Sequence, residues 1–152
     1  MKVFALSGSS GSKSINAAFL RYVVSLAAGD DVTVASVRDY EQPFFSVDLE
    51  NERGIPRDIL RLHAQIQEAD AMILASPEYN GGAPAMLKNA IDWLSRMPDG
   101  ANALALPVLL LSTSPGARGG LTNITHLADT LPRRGAKIVG PQGPEPEAAI
   151  MA

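Results

Sequence analysis

Cysteine is absent from the 152-residue chain. Its absence excludes disulfide scaffolds, thiol nucleophiles and cysteine-ligated zinc or iron–sulfur sites, and it fits a reducing compartment. A basic run is also lacking: 13 Lys and Arg against 16 Asp and Glu give a formal net charge of −3, which predicts no nucleic-acid partner. No apolar run approaches the roughly 20 residues of a membrane helix. We therefore expect a soluble, cytoplasmic protein with no membrane partner.

Short apolar runs recur along the chain and predict buried strands. They lie at 3–6, 32–37, 71–75, 107–112 and 137–139. Runs without polar alternation are typical of strands that are covered on both faces. Helical patterns separate them, beginning at Ser14, Pro56, Pro84 and about Leu121. This alternation predicts an α/β domain with a parallel sheet between two layers of helices.

Three loops follow the ends of predicted strands, where parallel sheets bind ligands. The first, SGSSGSKSIN at 7–16, brings glycines, hydroxyls and the cation Lys13 to a helix start, which suits a phosphate. The second, SPEYNGG at 76–82, offers backbone N–H groups and Tyr79 to a flat heterocycle. The third, STSPGARGG at 112–120, leaves room for a planar ligand. Plain turns, the first capped by Ser14, are the alternative interpretation.

These loops resemble the signatures of the NADPH-dependent FMN reductase family. The first loop matches the pattern G-S-x-R-x-x-S-x-N at Gly8, Ser9, Ser14 and Asn16. PEYN at 77–80, followed by P-x-x-L-K-N-A-I-D-W-L at 84–94, resembles the second signature, and SPGARGG at 114–120 is similar to the third. The resemblance implies FMN as cofactor, NADPH or NADH as co-substrate, and a flavodoxin-like three-layer sandwich whose five parallel strands run in the order 2-1-3-4-5.

The loops and the resemblance together give the candidate site. The phosphate is expected at the first loop and the isoalloxazine ring at the other two. The cofactor-binding candidates are Ser9, Ser10, Lys13, Ser14, Ile15, Asn16, Pro77, Glu78, Tyr79, Asn80, Gly81, Thr113 and Gly116. The family's arginine is replaced here by Gly11, so Lys13 is expected to supply that phosphate contact as a point charge.

The implied function is a flavin-dependent oxidoreductase with a ping-pong mechanism. NADPH or NADH would reduce FMN, and a small acceptor (a quinone, azo dye, free flavin or metal oxyanion) would then be reduced. No catalytic side chain is expected, because the flavin carries the chemistry; backbone N–H groups at Asn80 and Gly81 would stabilise the reduced ring. Two alternatives stay open: a flavodoxin-type one-electron carrier, and a flavin-free domain that has lost activity.

The end of the chain bears on domain limits and assembly. We expect residues 1–140 to form the FMN-binding domain and residues 141–152, with three prolines, to form a short tail. That tail is too broken for the fifth helix that the fold pattern needs. The first helix would then have a bare apolar flank, which we expect another subunit to cover in a homodimer or homotetramer.

The remaining polar residues predict no rival site. His63 and His126 fall on separate predicted helices, so no metal site is expected. Lys88 and Asp92 are one helical turn apart and predict a surface ion pair. Trp93 is predicted to pack in the core.

Overall fold

Five short strands form the centre of the fold. In the computed structural model, which describes residues 1–27 and 29–140, they are β1 (Lys2–Ser7), β2 (Asp31–Ser36), β3 (Ala71–Ala75), β4 (Pro107–Leu111) and β5 (Lys137–Val139). All four neighbouring pairs are parallel, in the order β2-β1-β3-β4-β5. The predicted flavodoxin-like order 2-1-3-4-5 is therefore confirmed.

The helices of the described ranges are α1 (Ile15–Ser25), α2 (Val47–Arg53), α3 (Arg57–Gln67), α4 (Ala85–Leu94) and α5 (Leu121–Thr130). Ser14 caps α1, because its hydroxyl accepts a hydrogen bond from the N–H of Ala17 at 3.2 Å. Pro56 and Pro84 directly precede α3 and α4. Among these described helices, none is long and apolar enough to cross a membrane.

The main core lies between one face of the sheet and α3, α4 and α5. Three α3 residues one helical turn apart, Ile59, Leu62 and Ile66, are buried as their spacing predicts. Trp93 is fully buried, which confirms its predicted packing role. Its indole N–H donates to the carbonyl oxygen of Pro43 at 2.7 Å, and its ring meets Phe45 edge-on.

The opposite face of the sheet is thinly covered. Among the described residues its buried cluster contains only Ala5, Leu20 of α1 and Ala75, while Ile73 and Leu111 stay partly exposed. β2 lies at the sheet edge, and Val34 is 48% exposed. The prediction that every strand is covered on both faces is thus wrong for the two edge strands, β2 and β5. The predicted tail and absent fifth helix concern residues 141–152, which lie outside the described residues.

Candidate functional site

An open cleft of about 450 Å³ lies where β1, β3 and β4 end. This volume falls within the roughly 300–1,000 Å³ range of small-molecule sites. Parallel strands end at the same edge of a sheet, so the three loops singled out in the sequence converge there. The lining residues are Ser9, Gly11, Ser12, Lys13, Ser14, Ile15, Asn16, Pro77, Glu78, Tyr79, Thr113, Ser114 and Pro115.

Most of the predicted site residues line this cleft, but four do not. The exceptions are Ser10, Asn80, Gly81 and Gly116. Sequence reasoning in turn missed four lining residues, Gly11, Ser12, Ser114 and Pro115, although all four lie inside the loops that it identified. All three loops therefore contribute residues to the cleft, and the residues that line it differ from the predicted set within each loop.

Gly8 presses the first loop against the core. Its N–H donates to the carbonyl oxygen of Ala75 at 2.7 Å. A Cβ atom at Gly8 would lie 2.7 Å from a methyl carbon of Leu87 on α4, so a larger residue here would require the buried Leu87 side chain to shift. The loop is also held from β2, because the hydroxyl of Ser36 donates to the carbonyl oxygen of Ser9 at 3.0 Å. The start of the loop backbone is thus fixed from β3 and from β2.

The same loop presents a row of unused backbone donors. The N–H groups of Ser10 and of residues 12–16 have no acceptor within the described part of the chain. Lys13, an exposed side chain at the cleft, has no ion-pair partner among the described residues. Unpaired N–H groups at a helix start, together with a cation, are the arrangement that binds an anionic group such as a phosphate.

Asn16 joins the first loop to the third. Its side chain is buried; the amide nitrogen donates to the carbonyl oxygen of Thr113, and the amide oxygen accepts from the N–H of Thr113, both at 2.9 Å. This reciprocal pair fixes the start of α1 against the chain leaving β4. Asn16 lines the cleft, and its polar side-chain atoms are already engaged with the protein.

The second loop closes in a tight two-residue turn. Tyr79 and Gly82 exchange two backbone hydrogen bonds, at 2.9 and 3.1 Å. Asn80 and Gly81 between them have φ values of 53° and 80°, as a type I′ turn requires. They therefore form the tip of the turn and do not line the cleft, whereas Tyr79, half exposed, stands at its rim.

A buried polar network supports this loop from below. Asn123 of α5 is fully buried and contacts both Ser76 and Pro77 through its amide nitrogen. The hydroxyl of Ser112 donates to the carbonyl oxygen of Ser76 at 2.7 Å. Sequence reasoning missed Asn123, although one signal was available: it lies one turn before the buried Leu127, on the core face of a predicted helix.

Charged and metal-binding groups are sparse at the cleft. Lys13 and Glu78 are the charged residues among those that line it. Within residues 1–27 and 29–140, no group of three or more His, Asp or Glu side chains could hold a metal ion. His63 instead pairs with Asp99 at 3.0 Å. The arrangement can thus bind an anion at the first loop and a flat group between the second and third.

Comparisons with known proteins agree on one family. The model for the family described as NADPH-dependent FMN reductase matches residues 1–148. A quinone reductase of Escherichia coli K12 is 36% identical over 131 residues, which cover 86% of this chain and 69% of that protein. An NAD(P)H-dependent FMN reductase of Pseudomonas aeruginosa is 36% identical over 132 residues, which cover 86% of this chain and 69% of that protein. The solved structure of a flavoenzyme NAD(P)H:acceptor oxidoreductase from Paracoccus denitrificans has a TM-score of 0.78 at 31% identity, covering 91% of this chain and 75% of that one.

Proposed function

The chain belongs to the NADPH-dependent FMN reductase family, and from that premise we propose that it reduces a quinone-like acceptor with electrons from NADPH or NADH. It is a flavin-dependent oxidoreductase with FMN as its cofactor. One observation carries the proposal: three loops from separate strands meet at one open cleft that combines unpaired N–H donors with an unpaired cation.

The residues at the cleft fit FMN in two respects. The free N–H groups of Ser10 and of residues 12–16, with Lys13 beside them, suit a terminal phosphate. Pro77, Tyr79 and Thr113 would flank the ring, where the fixed turn and the Asn16–Thr113 pair hold the walls in place. Residues 1–140 would form the FMN-binding domain.

The chemistry that FMN supplies when bound is acceptance of a hydride from NADPH or NADH and onward reduction of the acceptor. The chain's own residues bind and orient the reactants. Because the cleft is open on one side, we infer that nucleotide and acceptor bind there in turn, in a ping-pong order. No side chain of the cleft has to transfer a proton for this.

The acceptor proposed is flat and uncharged. Ile15, Tyr79 and Pro115 are the exposed residues of the cleft wall that offer apolar or aromatic surface. Lys13 would be occupied by the phosphate and Glu78 is anionic, so no cation of the lining remains for a metal oxyanion. A quinone fits this surface better than chromate or a sulfonated azo dye.

Purified protein tests the proposal through its visible spectrum and its turnover. We expect yellow protein, or apoprotein that becomes yellow with FMN, and mass spectrometry should identify the released cofactor as FMN and not FAD. Steady-state NADPH oxidation with benzoquinone should give parallel double-reciprocal lines. Flavin without turnover would favour the one-electron carrier. Protein that cannot be reconstituted with FMN would favour the flavin-free domain.

A further inference from the structure

We propose that Asn123, a residue outside the cleft, is a positioning residue that turns one backbone donor, the N–H of Glu78, toward the bound flavin ring. The proposal rests on the proposed function, since it assumes that FMN occupies the cleft. It assigns a role to a fully buried amide that makes no contribution to the cleft lining.

The side chain of Asn123 controls two consecutive carbonyl groups. Its amide nitrogen donates to the carbonyl oxygen of Pro77 at 3.0 Å, to that of Ser76 at 3.3 Å, and to the hydroxyl of Ser76 at 2.9 Å. All three acceptors belong to the segment that connects β3 to the tight turn. The hydroxyl of Ser112 also donates to the carbonyl oxygen of Ser76 at 2.7 Å, and that of Ser76 to the carbonyl oxygen of Pro77 at 3.1 Å. The Asn123 amide therefore fixes the direction of these carbonyl groups together with the two hydroxyls.

The direction of the Pro77 carbonyl group determines the direction of the next backbone N–H, that of Glu78. The peptide bond between Pro77 and Glu78 is trans, so its C=O and N–H groups point in opposite directions. Because the carbonyl oxygen of Pro77 points to Asn123, the N–H of Glu78 points away from Asn123. Pro77 and Glu78 both line the cleft, so we infer that this N–H faces it.

The N–H of Glu78 is also the free donor of this segment. The N–H of Ser76 donates to Leu111, that of Tyr79 donates to Gly82, and Pro77 has none. Within the described residues the N–H of Glu78 has no acceptor. A fixed and unpaired N–H beside a flavin would stabilise negative charge on the reduced ring.

The carboxylate of Glu78 is held by the same residue. Its Oε2 accepts from the backbone N–H of Asn123 at 3.1 Å, in the first turn of α5, where Gly120 provides no side-chain cap. The side chain of Asn123 thus holds the carbonyl group of Pro77. The backbone N–H of Asn123 holds the carboxylate of Glu78.

The amide oxygen of Asn123 argues against a role in packing alone. It is buried and has no hydrogen-bond partner among the described residues. An unpaired buried acceptor destabilises the fold, and an apolar side chain of similar size would avoid this cost. The amide nitrogen, with its three acceptors, is the part of the side chain that has a function.

Two substitutions and a control test the proposal. Asn123→Ala removes the amide, and Asn123→Ser retains one donor if the alanine variant does not fold. Leu127→Ala, on the same helix and buried in the core, is the control for lost stability without loss of a hydrogen bond to the loop. The measurements are the FMN dissociation constant, the reduction potential of bound FMN, and the amide NMR shift of Glu78 during titration with FMN.

We expect Asn123→Ala to weaken FMN binding by roughly three- to tenfold, as for one lost hydrogen bond, to make the flavin potential more negative, and to reduce the Glu78 shift change. Leu127→Ala should lower stability and leave these readouts unchanged, and Asn123→Ser should be intermediate. If the Asn123 variants keep the wild-type dissociation constant, potential and NMR shift, or if Leu127→Ala changes them equally, the role of Asn123 is refuted. The proposed function would still stand. A wild-type chain that binds no FMN would refute the proposed function and this inference with it.

Discussion

The Asn16–Thr113 pair gives the sharpest test of how the cleft is built. Asn16→Ala removes two part-buried hydrogen bonds, both 2.9 Å long, which join loops that are 97 residues apart in sequence. Each bond contributes about 1 kcal/mol net, and unpaired polar groups left behind at Thr113 add a further penalty. We therefore expect the free energy of unfolding to fall by about 2–4 kcal/mol, measured by urea titration of the apoprotein.

Asn51→Ala is the matched control, since Asn51 is an exposed asparagine within α2. It should change stability by less than about 0.5 kcal/mol, as surface substitutions usually do. FMN binding should weaken in the Asn16 variant alone, because Thr113 would no longer be fixed at the cleft wall. A stability loss below about 1 kcal/mol would show that water replaces both bonds and that the pair does not set the position of the third loop.

Three further predictions follow from exposed or buried groups. Lys13→Ala should weaken FMN binding by about 1 kcal/mol, the low end for a charge-assisted bond because the side chain is exposed; Lys137→Ala, another exposed lysine, is the control in an FMN titration. Burial raises the pKa of Tyr40 to about 12. The folded state therefore retains this proton where the unfolded state loses it, so stability should fall as pH rises from 10 to 12, and urea midpoints of Tyr40→Phe should fall less steeply. The half-covered sheet face beside α1, with Tyr22 and Leu26 exposed, should be the contact of a homodimer; light scattering that finds a monomer at micromolar concentration would refute this.

Much of the fold was predictable because strand burial and helix starts leave local marks. The runs 71–75 and 137–139 coincide with β3 and β5, and helix starts after Ser14, Pro56 and Pro84 were signalled by capping chemistry and proline. The Lys88–Asp92 pair is likewise present, at 2.6 Å. In each case the information is carried by a few neighbouring residues.

What could not be predicted depends on contacts between distant segments. The short helix α2 has no fully buried residue and packs Leu49 against the core, so no apolar periodicity marks it. The exposure of β2 depends on its place at the sheet edge, which its own apolar sequence does not contain. The network around Asn123 joins residues up to 47 positions apart. The placement of Asn80 at a turn tip follows from its backbone angles.

The contact between Gly8 and Leu87 limits how this loop can be reused in protein engineering. The sequence of the SGSSGSKSIN segment suggests that this loop alone could be transplanted into another protein to create a phosphate site. Its glycine, however, leaves no room for a Cβ atom against a leucine on a helix almost 80 positions away. A transplant that keeps this packing behind the loop requires the loop and the matching helix surface together, so the unit to transfer is a pair of distant segments.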